Sequence, residues 1–350
     1  MRSSWSRAGD GVTKKLEDLL LEGIQDVAGV SPSMFLNVGY PSLVTVMQFI
    51  EATPSATYAD KKLRKLFAIQ NWVLDAKQLE SFFQLMGEVQ FWMLAKHKGI
   101  TLERIPEAKG NTADLKMAGA APGLPQFEVK TLSVSDGGWM HLAKMAEDSF
   151  QAQLEVQAGH LRGEQVAMSV QSISPHGVVQ RGKEYTEMCT NLIDKAVGNI
   201  KAGQYAAAPT FMVLNLMVIG SHFGGNIELR PVAAGYPENW SVRTGVLWTI
   251  GFGTMCQLVH GQPAFEGRPG IEGLLGREGV LAHPHFKELA GLLLVIHHLS
   301  KEPTIYGLMR DVDRERFEKS DVILLEAFSS LVGKEWNDDW DSNGWQLTEH

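Results

Sequence analysis

Between residues 76 and 132 the spacing of the apolar residues changes once, and that change constrains the fold more than any other feature of the chain. Leu79, Phe82, Met86, Val89 and Met93 recur at helical intervals, which lines them along one face of a helix over residues 76–98. Gly99 is a natural stop for it. From Ile100 the repeat becomes two. A first strand is expected over Ile100–Glu107. In Thr112–Ala118, Ala113, Leu115 and Met117 alternate with Asp114 and Lys116, as in a strand with one apolar face. Gly119-Ala-Ala-Pro-Gly123 is turn material, and Gln126–Leu132, rich in β-formers, is the return strand.

Further on, the pattern predicts a helix over Met140–Leu161, a strand over Gln165–Ile173 and a helix over Glu187–Tyr205. Phe211–Ile219 is apolar throughout, as expected of a central strand covered on both faces. The fold class is therefore α/β, a mixed β-sheet flanked by helices. Residues 1–75 read as a helical N-terminal extension, with Leu16, Leu19, Leu20 and Ile24 at helical spacing and a second helix starting near Pro41. Residues 76–234 hold the core, and residues 235–335 form a C-terminal elaboration packed on it. In that elaboration Trp240–Leu258 reads as helix, Leu289–Leu299 as a strand or short helix, and Val322–Val332 as helix. Residues 336–350 read as an acidic tail.

Composition excludes several classes. A chain of 350 residues with 44% hydrophobic and 21% charged residues is that of an ordinary globular protein with a sizeable core. The net charge of -8 argues against indiscriminate coating of nucleic acid, so a nucleic-acid enzyme would need a local basic groove. Cys189 and Cys256 stand far apart, without disulfide or zinc spacing. No stretch has the length of a membrane span, and the first residues lack a signal-peptide core. A cytoplasmic location with no membrane partner is expected.

The chemistry concentrates in Ala113-Asp114-Leu-Lys-Met…Gln126-Phe-Glu128-Val-Lys130. With the turn centred on Ala121, Asp114 lies opposite Glu128, and Thr112 opposite Lys130. Cross-strand Cβ atoms are roughly 4.5–5.5 Å apart, so the two carboxylates repel unless a cation sits between them. Magnesium accepts one or two carboxylates together with water and substrate phosphate. Lys130 shares a face with Glu128, while Phe127 and Val129 point to the core. Three similar acid–lysine spacings, Asp60-Lys-Lys62, Asp75-Ala-Lys77 and Glu107-Ala-Lys109, lack an acidic partner strand.

This segment resembles the PD-(D/E)XK superfamily of restriction-endonuclease-like nucleases. Their core is an α-β-β-β-α-β unit with an acid on the second strand and Glu/Asp-x-Lys on the third. The resemblance covers residues 76–219, with Ala113 where the family carries proline. It implies magnesium-dependent hydrolysis of phosphodiester bonds, with manganese able to substitute. DNA is the preferred substrate and RNA the other candidate. It also implies a setting in bacterial restriction or anti-phage defence, with a homodimer or a partner subunit. The implied catalytic set is Asp114, Glu128, Lys130 and a helix carboxylate, Glu88, with Glu80 as its rival. The implied metal set is Asp114, Glu128, Glu88 and Val129, the last having only main-chain oxygen to offer. Lys195 and Gln204, on the later helix, are candidates for aiming an amine or amide at the site. A nuclease-fold subunit that binds nucleic acid or partner proteins without cutting is the alternative.

Other features carry less. The run Lys61-Lys62-Leu63-Arg64-Lys65 is read as a solvated helix face before a phosphate contact. His283, His285, His297 and His298 are read as scattered surface residues, since no further ligand is spaced to help them hold zinc. Gly267–Gly276 lacks the ending of a phosphate loop and is read as a mobile loop beside the substrate groove. Phe91, Trp92 and Trp248 are read as core, and Trp139 as the one exposed stacking candidate.

Overall fold

The structure is a computed structural model, and it describes residues 14–28, 40–106, 113–119, 121, 123–133, 138–170, 184–205, 208–218, 232–236, 240–244, 246–264, 268–298 and 301–339. Among the described residues three helices come first, α1 (Leu16–Ala28), α2 (Tyr40–Ala52) and α3 (Thr57–Phe67); α1 packs on α2 and α3, and these two pack on a longer helix, α4 (Ala76–His97). Asp75 caps α4, accepting hydrogen bonds from the backbone N–H groups of Lys77 (2.8 Å) and Gln78 (3.0 Å). The acid–lysine spacing at Asp75 is thus a helix start.

Four strands and two helices follow among the described residues. They are β1 (Leu102–Arg104), β2 (Leu115–Met117), β3 (Gln126–Thr131), α5 (Gly138–Leu161), α6 (Glu184–Asn199) and β4 (Thr210–Asn215). The chain then makes a four-stranded sheet from β5 (Val232–Tyr236), β6 (Trp240–Thr244), β7 (Leu258–Ala264) and β8 (Arg268–Leu274), with α7 (Val246–Phe252) between β6 and β7. It returns with β9 (Gly291–His298), β10 (Lys301–Leu308), α8 (Asp311–Ser320), α9 (Val322–Val332) and β11 (Trp336–Asn337).

Among the described residues the main sheet has seven strands in the order β1-β2-β3-β4-β9-β10-β11. The β1/β2, β2/β3 and β9/β10 pairs are antiparallel, and β3/β4, β4/β9 and β10/β11 are parallel. The alternation of β4 explains why it is central. Phe211 and Val213 enter a core shared with α1–α4, α8 and α9. Met212 and Leu214 enter a second core shared with α6 and α7. In β9, Leu293 and Val295 join the first core and Leu292, Leu294 and Ile296 the second. A strand buried on both sides has no polar face to show. No helix among the described residues is long and apolar enough to cross a membrane.

Several local expectations are corrected. Residues 165–170 form no strand: Val166, Met168 and Val170 alternate, but they are 85%, 84% and 78% exposed. A period of two makes a strand only where a neighbour takes the backbone hydrogen bonds. Residues 171–173 lie outside the described residues. Within Trp240–Leu258 only Val246–Phe252 is helical, and the segment starts in β6 and ends at the first residue of β7. Arg268–Leu274, expected in a mobile loop, is β8, paired antiparallel with β7. Trp336–Asn337 belongs to the main sheet, beside Gly307 and Leu308 of β10, so residues 336 and 337 are not tail. The same sheet also continues past residue 234 through β9 and β10.

Candidate active site

The hairpin that carries the acids has the register expected of it. Leu115 pairs with Phe127 and Lys116 with Gln126, so Asp114 stands across from Glu128 on one face. Thr112 lies outside the described residues. Phe127 and Val129 are buried on the opposite face in the first core. Phe127 stacks on Phe211 at 5.7 Å and meets Phe91 of α4 at 5.3 Å, and this aromatic row holds the register.

The β2/β3 pairing is short, and its shortness makes the site. Beyond Phe127 no β2 residue pairs with β3, so the edge of β3 needs other partners. The carboxylate of Asp114 accepts the N–H of Val129 at 2.9 Å. The amide of Gln84, on α4, closes the next step. Its Oε1 accepts from Thr131 N–H at 3.0 Å, and its Nε2 donates to Thr131 C=O at 2.8 Å. Gly87 lets α4 come this close, since a methyl group there would land on Thr131 Oγ1.

Three carboxylates meet at this notch. Glu128 is 1% exposed. Its Oε1 receives the ammonium of Lys130 and the amide Nε2 of Gln204, while its Oε2 is buried with no hydrogen-bond partner among the described residues. Burial pushes the Glu128 carboxyl up to about 7, and the charge of Asp114 adds to this while Lys130 opposes it. Asp114 is raised by burial, against the pull of Lys130 and the Val129 N–H. Glu88, on α4, is also pushed up to about 7 by burial and by Asp114. Its partners are the hydroxyl of Tyr58 and, at 3.7 Å, the Nε of Arg104. Burial and the charge of Glu88 in turn hold the Tyr58 hydroxyl firmly protonated. Like charges out of water raise one another in this way, and such clusters concentrate at functional sites.

Asp114, Glu128, Lys130 and Val129 thus come together, with Glu88 near enough to feel the charge of Asp114. Glu80, its rival, is exposed. Gln204 reaches Glu128 from a 3-10 turn after α6, where Lys201 N–H donates to its Oε1 at 2.8 Å and so turns its Nε2 toward the acid. Lys195 instead donates to Ser133 Oγ at 2.9 Å, just past the end of β3. Sequence reasoning missed Tyr58, Gln84 and Arg104, which tertiary packing delivers from separate elements. Trp139 is not an exposed platform: it is half-buried and stacks on Phe83 at 5.5 Å. His297 is buried, not on the surface, and is hydrogen-bonded to Gln90.

Among the described residues no three His, Cys, Asp or Glu side chains form a group able to hold a metal on protein ligands alone. The donors at the notch suit a cation that needs fewer. Asp114 and Glu128 offer hard oxygens, Val129 has a carbonyl on the same edge as its N–H, and Glu128 Oε2 lacks a partner. Magnesium usually takes one or two carboxylates and completes its shell with water and phosphate, so these residues fit it. No protein-family model, no curated protein and no solved structure matches the chain.

Proposed function

We propose that the protein is a magnesium-dependent nuclease of the PD-(D/E)XK type, hydrolysing phosphodiester bonds of nucleic acid, DNA in preference to RNA. The observation that carries this reading is Glu128. A buried carboxylate with one oxygen on Lys130 and Gln204, and the other without a partner among the described residues, is costly when ionised unless a cation completes it. The order α4-β1-β2-β3, then the helices α5 and α6, then β4 parallel to β3 supports assignment to the restriction-endonuclease-like fold.

Asp114, Glu128 and the Val129 carbonyl are the residues that would hold magnesium. When bound, magnesium lowers the pKa of a coordinated water and offsets charge developing on the phosphate. Gln204 fixes the orientation of Glu128. Lys130 directs its ammonium to the face where the acids lie, where it can hold the attacking water or a non-bridging phosphate oxygen. Glu88, with a carboxyl near 7, is suited to take up or return a proton at neutral pH. A role in bacterial defence, in the cytoplasm and with a second copy or partner subunit, follows from the family resemblance alone.

The test is cleavage of plasmid and single-stranded DNA in magnesium, manganese or EDTA. Wild type should cut with either metal and stop in EDTA. Asp114→Ala and Lys130→Ala should each lose at least about a hundredfold in rate. Binding without metal-dependent cutting, unaffected by Lys130→Ala, would replace this reading with a silent nucleic-acid-binding subunit.

A further inference from the structure

The N-terminal helical layer does more than cover the first core. In α3, Tyr58, Lys61, Lys62 and Lys65 are spaced three, four and seven residues from the first, so they share one face. Ala59, Leu63 and Leu66 are buried on another. The neighbouring cation belongs to the scaffold: Arg64 binds Asp60 at 3.0 Å and the carbonyl of Lys14 at 2.6 Å. The three lysines are exposed.

This face begins at the acids. Tyr58 donates its hydroxyl to Glu88, and the guanidinium of Arg104 lies 4.2 Å from the centre of the Tyr58 ring while approaching Glu88 at 3.7 Å. Lys62 is near enough for its charge to oppose protonation of both Glu88 and Asp114. A polyanion with one phosphate at the notch would therefore find Arg104 and Lys62 beside it and Lys61 and Lys65 on the same helix face.

We propose that the Tyr58–Lys65 face of α3, together with Arg104, is the track along which the phosphodiester backbone of the substrate runs away from the scissile bond. This rests on the nuclease reading and names the part of the chain that grips the substrate outside the reacting centre. The charge is local, as a chain of net charge -8 requires if it is to bind a polyanion. The contacts are to phosphates, so the track positions substrate without reading its sequence.

The experiment measures binding of a fluorescein-labelled single-stranded oligonucleotide to the full chain by anisotropy. Calcium replaces magnesium, and salt is varied from 0.05 to 0.3 M. The Lys61→Ala/Lys65→Ala double variant removes the two lysines of this face other than Lys62, whose charge reaches the acids. Losing two phosphate contacts should lower the slope of log affinity against log salt by about 1.4, and affinity at 0.1 M salt by roughly twentyfold. Hydrolysis of bis(p-nitrophenyl) phosphate, too small to reach the track, should keep its wild-type rate in magnesium. An unchanged salt slope and affinity, or no binding by wild type, would overturn the track. Failure of wild type to hydrolyse the small diester would instead count against the nuclease reading and leave the binding result to judge the track.

Discussion

Two buried polar clusters meet α4 at neighbouring residues, Gly87 and Gln90 in one and Glu88 in the other, and they solve the problem of burial in opposite ways. At the inner cluster Asn215 donates to the carbonyl of Gly87 at 3.3 Å and to Gln90 Oε1 at 2.8 Å, and its own oxygen accepts from Met217 N–H. Gln90 in turn meets His297 of β9. Its amides and imidazole are paired with one another, as a polar group inside a core must be. At the outer cluster, burial raises the proton affinity of Glu88, Asp114 and Glu128, the charge of Asp114 raises that of the other two further, and Glu128 keeps an oxygen with no partner among the described residues. The inner cluster ties α4 to β4 and β9. The outer one is left incomplete at the place where β2 stops short. Burial and polarity are common to both, so the difference that points to chemistry is the unsatisfied charge.

That contrast is broken most directly by Glu128→Gln. If the outer cluster is catalytic, cleavage should fall by roughly a hundred- to a thousandfold, or about 3–4 kcal/mol in the barrier. The melting temperature should hold or rise, because one of three mutually repelling acids has been removed. A variant that melts early while cutting at the wild-type rate would reverse the assignment of the two clusters.

Asn215→Leu is the converse change. It strands the Met217 N–H in the core and takes one partner each from Gln90 and the Gly87 carbonyl, and each unsatisfied group costs about 1–3 kcal/mol. Urea denaturation should register a loss of about 2–4 kcal/mol. The protein that remains folded should still cut within a few-fold of wild type. A loss of activity as deep as that of Glu128→Gln, with stability intact, would place Asn215 in the chemistry.

The next effect is linkage between protons, metal and stability. The Glu88 and Glu128 carboxyls rise from an ordinary 4.5 to about 7 on folding. Between those values the unfolded chain has lost protons that the folded chain keeps, so stability falls as pH rises. The contribution is full below about pH 4.5 and gone above about pH 7. Magnesium competes for the deprotonated acids, so it should add stability at pH 8 and little at pH 5. At ten times its dissociation constant the gain is about 1.4 kcal/mol, visible as a rise of a few degrees in melting temperature. An equal rise at both pH values would mean that the cation binds elsewhere.

The legibility of the two clusters differs for a physical reason. Asp114, Glu128 and Lys130 lie on one hairpin, where the period of two and a turn fix which residues face each other. Their register was readable before any tertiary contact was known. The helix α9 was readable too, as an apolar run of helical length. Tyr58, Gln84 and Arg104 come from elements that meet only on folding, and nothing in their own neighbourhoods marks them. His297 misled for the same reason: its partner, Gln90, is 207 residues away. The strand expected over Gln165–Ile173 does not form at residues 165–170, because alternation is local while pairing is not. Gln204 was found in the right region but on the wrong element, since a 3-10 turn and the end of a helix share their spacing too closely to be separated.

The smallest expected effect sharpens the comparison within the outer cluster itself. Glu128 has a free oxygen, whereas Glu88 is held by Tyr58 and approached by Arg104. Glu88→Gln keeps the shape and the Tyr58 contact but removes the proton site. The rate at pH 8 should fall by no more than about tenfold, the lower range for a general acid–base group. The pH profile is more telling. With both acids titrating near 7, the acid limb of wild type should fall with a slope approaching two on a logarithmic scale. In Glu88→Gln the slope should fall to about one, because only the Glu128 proton remains to be lost. A single-proton slope in both proteins, with equal rates, would make Glu88 a tether for Tyr58 and leave proton transfer to water.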